Sequence, residues 1–124
     1  MILLPRSVRV YVATQPVSLR KSFEGLSNEV RHVLAHDPLS GHVFVFLNRR
    51  RNQVKLLVWT RGGFTIIHKR LERGTFAFAK QVHDDAVIVE FETHELAMLL
   101  EGIDARKVKR SPRWEPLRYR DLRE

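Results

Sequence analysis

The chain of 124 residues contains no cysteine, which excludes disulfides, thiolate metal sites and a cysteine nucleophile and fits a reducing cytosol. No apolar run approaches the roughly 20 residues that a membrane-spanning helix needs. The apolar residues 1–4 are followed at once by Pro5 and are too few for a signal peptide. Acids are also scarce, because 14 Asp and Glu stand against 22 Lys and Arg, a formal net charge of +8. We therefore expect a single-domain cytoplasmic protein whose first candidate partner is an anionic polymer, with no membrane involved.

The positive charge is concentrated in two segments. Residues 105–124 carry eight Arg or Lys and three acids, a net +5 of the chain's +8. The second segment, residues 49–61, has no acid and contains Arg49, Arg50, Arg51, Lys55 and Arg61. We therefore divide the chain into a domain at residues 1–104 and a basic C-terminal tail at residues 105–124.

Hydrophobic periodicity predicts an α+β fold. Apolar residues spaced three and four apart predict a first helix of about 17 residues that begins after an N-cap, Ser18. A second, short helix is predicted to have Thr93 as its N-cap and to end near Gly102. Alternating or continuous apolar residues predict strands at 8–14, 43–47, 54–60, 64–71 and 87–91, and residues 76–78 could form a short strand or an edge. The continuous apolar run at 43–47 predicts a strand that is buried on both faces. The short connections between the middle strands favour an antiparallel β-sheet, a meander of about five strands, packed with the two helices.

Five phrases of the sequence match a known protein family in order and spacing. They are LRKSFEGL at 19–26, DPLSGHVFVF at 37–46, RRNQVKLL at 50–57, KRLERG at 69–74 and LLEGID at 99–104. The chain resembles the TnpB-type accessory protein, the product of the second reading frame, of the insertion sequence sixty-six family of bacterial transposable elements. The resemblance covers residues 1–104, and the tail agrees only in being basic. It implies a role in transposition, a form of DNA recombination, beside a separate transposase as partner. It carries over no catalytic residue.

Basic side chains form the candidate nucleic-acid site. Guanidinium groups bind phosphate oxygens bidentately, and the predicted loop at 49–51 presents three of them together. Arg20 and Lys21 are expected in the first turn of the first helix, where cations oppose the helix dipole unless an anion is bound. The tail mixes arginine with aromatic residues, which is typical of an arm that tracks a nucleic-acid strand. An equally open interpretation is that Trp114 and Leu117 anchor the tail to the domain or to a partner. The candidate nucleic-acid-binding residues are Arg20, Lys21, Arg49, Arg50, Arg51, Lys55, Arg61, Lys107, Lys109, Arg110, Arg113, Trp114 and Arg118.

We expect a non-enzymatic accessory protein that binds DNA, either the element ends or a single-stranded form, and that is nucleoid-associated when bound. The alternative is an interaction module that binds the transposase, or a second copy of itself through an exposed edge at 43–46, without contacting nucleic acid.

A third hypothesis, a metal-dependent nuclease, needs converging carboxylates. Glu90 and Glu92 could share one face of a strand, but surface charge is the simpler interpretation. His32 and His36 have a helical spacing that can hold zinc, yet no third ligand is visible. The sequence therefore predicts no metal and no other cofactor.

Overall fold

A computed structural model of the chain describes residues 7–78 and 82–102. The strands form one five-stranded sheet in the order β4-β3-β2-β1-β5. Along the described chain the elements are β1 (Val10–Ala13), α1 (Phe23–His32), β2 (Val43–Leu47), β3 (Gln53–Thr60), β4 (Gly63–Arg70), β5 (Ile88–Phe91) and α2 (Thr93–Glu101). The predicted α+β class is confirmed, and the basic tail lies outside the described residues. None of the described helices has the length and apolar character that crossing a bilayer requires.

The sheet is mixed, so the prediction of a wholly antiparallel sheet was wrong at one pair of strands. The meander is limited to β2, β3 and β4, and β5 is antiparallel to β1. β1 and β2 run parallel, with Val10 opposite Val43 and Val12 opposite Val45. The physical reason is the connection at 14–42, because it contains α1 and returns the chain to the end of the sheet where β1 began. A parallel pair needs such a crossover, whereas an antiparallel pair needs only a turn.

The two helices cover opposite faces of the sheet. On one face, Leu96 and Leu99 of α2 pack against the strands, and on the other face Leu26 and Val30 of α1 do so. All five residues of β2 are buried as a result, as the continuous apolar run predicted. β2 has β1 and β3 as neighbours, so the exposed edge predicted at 43–46 is wrong.

Helix α1 is shorter than its apolar pattern predicts. Its N-cap is Ser22 rather than Ser18, and the carbonyl of Ser18 instead accepts a hydrogen bond from the Lys21 N–H at 3.2 Å. Arg20 and Lys21 therefore precede the helix, and the charge in its first turn is Glu24, which suits the helix dipole. The helix ends early because Ala35 adopts a left-handed backbone with a φ of 55°.

Helix α2 has clear signals at both ends. Glu92 is its N-cap and forms a capping box with Glu95, whose Oε1 accepts a hydrogen bond from the Glu92 N–H at 2.8 Å. Gly102 closes the helix in the left-handed conformation with a φ of 78°, as predicted for a glycine at a helix end. The N-cap predicted at Thr93 is wrong by one residue, because Thr93 is the first residue of the helix and Glu92 is its N-cap.

Candidate nucleic-acid interface

The two parallel strands end side by side, and several connections gather at that end of the sheet. β1 is followed by residues 14–17 and β2 by residues 48–52, and these segments touch where the Val17 N–H donates to the Leu47 carbonyl at 2.9 Å. β4 ends there too, because Arg70 pairs with Gln53. We call this the arginine end of the sheet, and it comprises residues 14–17, 48–52 and 70–76.

The arginine loop, residues 48–52, has a backbone held by its own side chains. Asn48 Oδ1 accepts hydrogen bonds from the N–H groups of Asn52 and Gln53, both at 3.0 Å. Asn48 Nδ2 donates to Asn52 Oδ1 at 2.6 Å. Arg51 adopts a left-handed φ of 56°, and its N–H donates to the Asn48 carbonyl at 3.0 Å. The Asn48 side chain thus accepts hydrogen bonds from backbone N–H groups that pairing with a neighbouring strand would otherwise have to satisfy.

The segment at residues 71–76 also holds the arginine loop, through two backbone hydrogen bonds. The Asn52 carbonyl accepts a hydrogen bond from the Leu71 N–H at 2.8 Å, and the Arg51 carbonyl accepts one from the Phe76 N–H at 2.6 Å. Phe76 was predicted to lie in a short strand or edge, but it forms no ladder and instead buries its side chain in the core. The arginine loop is therefore fixed on both sides by residues distant in sequence.

The three guanidinium groups of this fixed loop face solvent. Arg49, Arg50 and Arg51 are all exposed. Within residues 7–78 and 82–102 none of them forms an ion pair with a carboxylate. Arg51 lies over the ring of Phe78, with its Cζ 5.8 Å from the ring centroid. A phosphate can thus approach without first displacing a carboxylate of the described domain.

Three more of the predicted cations are Arg20 and Lys21, which precede α1, and Lys55 of β3. Two of them, Lys21 and Lys55, already bind groups within the protein. Lys55 Nζ donates to the Lys21 carbonyl at 2.9 Å, and Lys21 Nζ pairs with Glu29 Oε1 at 2.6 Å. Lys55 therefore holds the segment that carries Arg20, whose side chain is exposed. Arg20 is the one of these three cations for which no such contact is described.

Arg61 does not join the cluster. It lies in the turn between β3 and β4, at the opposite end of the eight-residue strand β3, which spans about 26 Å.

The predicted tail residues lie outside the described residues; they are Lys107, Lys109, Arg110, Arg113, Trp114 and Arg118. The described chain ends at Gly102, where an added Cβ would lie 4.0 Å from Leu71 Cδ1. Gly102 thus lies beside the arginine end.

Sequence reasoning missed two arginines at this end, Arg70 and Arg73. Both are exposed, and Arg70 pairs with Glu72 at 3.3 Å. The signal that could have found Arg70 is the hairpin register, because a tight turn at 61–62 necessarily brings residue 70 opposite residue 53.

His68 lies on β4 beside two cations of this region, Lys55 and Arg70. The pKa of His68 is lowered by partial burial first, and then by the neighbouring cations Lys55 and Arg70. Its Nε2 lies 2.9 Å from Gln53 Oε1, across the β3–β4 ladder.

Of the carboxylates and histidines considered for a metal, Glu90, Glu92 and His36 have other contacts. Glu90 pairs with Arg9 at 3.1 Å, and Glu92 caps α2. The His36 ring packs on Tyr11 with 4.5 Å between centroids, while His32 is exposed. In the part of the chain that the structure describes, no group of three His, Cys, Asp or Glu side chains could hold a metal ion.

These features define a small α+β domain that presents a fixed arginine loop at one end of a mixed sheet. The chain belongs to the family described as IS66 Orf2 like protein, whose model matches residues 8–110. Membership places it among the accessory proteins of insertion sequences and confirms the resemblance found in the sequence.

Two relatives come from Sinorhizobium fredii (strain NBRC 101917 / NGR234), and both are described as uncharacterized proteins. The chain is 37% identical to y4jC over 107 residues, which cover 86% of this chain and 89% of y4jC. It is 33% identical to y4hO over 112 residues, which cover 90% of this chain and 92% of y4hO. No solved structure matches the chain.

Proposed function

We propose that this protein binds DNA of its insertion sequence through the arginine end and serves transposition as a non-enzymatic accessory factor. Family membership supports the link to transposition. One observation carries the DNA-binding part of the proposal: Arg49, Arg50 and Arg51 are exposed on a fixed loop and have no carboxylate partner within the described residues.

The fixed loop favours binding for an energetic reason. Association costs free energy for every loop and side chain that must be ordered at the interface. The hydrogen bonds of Asn48 order the loop backbone in advance, so only the arginine side chains remain to be ordered. Each phosphate that they neutralise releases counterions, which makes the affinity depend steeply on salt.

The alternative is an interaction module that binds the transposase or a second copy of the chain. Strand β4 supports it, because among the described strands β4 lies at the edge of the sheet and pairs only with β3. Its second half, however, carries His68, Lys69 and Arg70, all exposed, and charges of this kind discourage edge-to-edge pairing. We therefore favour DNA as the partner of the described surface and keep transposase binding as an additional interaction to be tested.

The proposal is tested by the salt dependence of DNA affinity. We would compare the double variant Arg49→Gln/Arg50→Gln with the matched control Arg31→Gln/Arg61→Asn, which also removes two exposed positive charges, one on α1 and one in the turn at the far end of β3. Asn is chosen at residue 61 because it tolerates the left-handed backbone there. If both arginines contact phosphate on duplex DNA, the slope of log K against log salt falls by about 1.8, at about 0.9 per contact.

The outcomes separate the hypotheses. Equal loss of affinity in the two double variants would show that the arginine end has no special role, and absence of binding by the wild type at low salt would overturn DNA binding. Capture of the transposase by the Arg49→Gln/Arg50→Gln variant, without any DNA binding by the wild type, would establish the interaction module. Cleavage of DNA with Mg²⁺ that EDTA abolishes would contradict a non-enzymatic role.

A further inference from the structure

A cleft of about 180 Å³ opens at the arginine end, beside the carboxyl ends of the parallel strands β1 and β2. Open sheets with parallel strands bind ligands outside the carboxyl ends of those strands. A cavity of about 150 Å³ holds one benzene ring, so this cleft has room for a single aromatic heterocycle. The residues lining it are Ala13, Thr14, Gln15, Pro16, Leu47, Asn48, Arg49, Arg51 and Phe78.

One wall of the cleft carries an aromatic ring beneath a cation. Phe78 is half-buried, and its ring packs against Phe91 with 5.5 Å between centroids. The Arg51 guanidinium lies 5.8 Å from the centroid of the Phe78 ring. Aromatic rings and guanidinium planes are the surfaces on which unpaired bases stack.

Two other polar side chains of the cleft are already engaged within the protein. Thr14 Oγ1 donates to the Ala86 carbonyl at 2.7 Å, and the Asn48 side chain bonds the loop backbone. The charged groups that remain to select a ligand are Arg49 and Arg51. A ligand that suits this cleft is therefore flat and aromatic at one end and anionic at the other, which is the chemistry of a nucleotide.

We infer that this cleft binds one unpaired nucleotide of DNA, with the base stacked on the pair formed by Arg51 and Phe78 and the adjoining phosphates on Arg49 and Arg51. The inference rests on the proposed DNA binding and narrows it, because a volume of about 180 Å³ matches one base. Single-stranded or frayed element DNA is then the preferred substrate over an intact duplex.

The first test compares two single strands with the same number of phosphates, one with bases and one abasic throughout. Stacking of one base makes the wild type bind the base-bearing strand about 5-fold to about 150-fold more tightly. Phe78→Leu removes that difference and leaves the affinity for the abasic strand unchanged. Phe23→Leu is the matched control, because Phe23 is an exposed phenylalanine at the start of α1, and it retains the difference.

A second test needs no variant and so does not depend on the folding of Phe78→Leu. A strand containing 5-iodouracil is cross-linked by light to the wild-type protein, which is then digested with trypsin. We expect cross-linked peptide 74–80, with the attachment at Phe78 rather than at Phe76, whose side chain is 1% exposed.

The results distinguish this inference from the proposed function. Equal affinity for the base-bearing and abasic strands, or cross-links confined to other peptides, overturns the cleft while phosphate binding stands. No binding of either strand at low salt overturns the proposed function and the cleft with it. Base-dependent binding lost in Phe78→Leu and kept in Phe23→Leu supports both.

Discussion

Replacing Asn48 by Ala is expected to loosen the arginine loop without removing any charge. The Asn48 side chain makes three hydrogen bonds, two accepted from the N–H groups of Asn52 and Gln53 and one donated to the Asn52 side chain. Each contributes about 0.5–1.5 kcal/mol net. Water can replace part of this at a half-buried site, so we expect the free energy of unfolding to fall by about 2 kcal/mol. In a domain of this size that lowers Tm by about 8–16 °C.

The same substitution should weaken DNA binding while all arginines remain. Ordering one residue of a loosened loop costs about 1–2 kcal/mol at the moment of binding, so we expect at least about 5-fold weaker affinity. The salt slope should stay at the wild-type value, because the number of phosphate contacts is unchanged. Urea unfolding and fluorescence anisotropy with labelled DNA measure the two effects.

Asn28→Ala is the control for this prediction, since Asn28 is exposed on α1 and should not lower stability or affinity when replaced. If Asn48→Ala unfolds and binds like Asn28→Ala, the loop does not depend on the Asn48 side chain, and the argument from a fixed loop is refuted.

Three further predictions concern the fold. Phe76→Ala should cost about 3–5 kcal/mol in urea unfolding because the ring is fully buried, whereas Phe23→Ala at an exposed site should cost less than about 1 kcal/mol. Gly102→Ala should cost about 1 kcal/mol at its left-handed φ of 78°, while Gly63→Ala, with open space around it and no positive φ, should cost less; thermal unfolding of both variants decides. The lowered pKa of His68 means that the unfolded chain binds more protons between the lowered value and 6.5, so stability should rise with pH through that window. His68→Gln should abolish this rise in unfolding measured at several pH values, and an unchanged rise would assign it to another group.

Local patterns in the sequence were enough to predict most elements of the fold. The apolar run at 43–47 became the central strand because only a strand covered on both faces can bury consecutive apolar residues. The parallel pairing of β1 and β2 was not predicted, because period-two alternation is the same in parallel and antiparallel strands. The information lay instead in the connection at 14–42, which is long enough to hold a crossover helix.

The candidate site was only partly predictable for a related reason. The arginine triplet at 49–51 is visible in the sequence, but the bonds from Leu71 and Phe76 that hold its loop join residues about 20 or more positions apart. Arg61 was grouped with the triplet by proximity in sequence, although a whole strand separates them in space. Arg70 was overlooked for the opposite reason, since it is distant in sequence and adjacent in the hairpin.

Mapping of backbone amide shifts by NMR while single-stranded DNA is added tests most directly where the nucleic acid is held. We expect the largest shifts at residues 48–52, with smaller ones at residues 14–17 and at Phe76. The turn at Gly62 and Gly63, at the other end of β3, should stay unchanged. Shifts centred on that turn or spread along the edge of β4, or no shifts at all at low salt, would contradict binding at the arginine end.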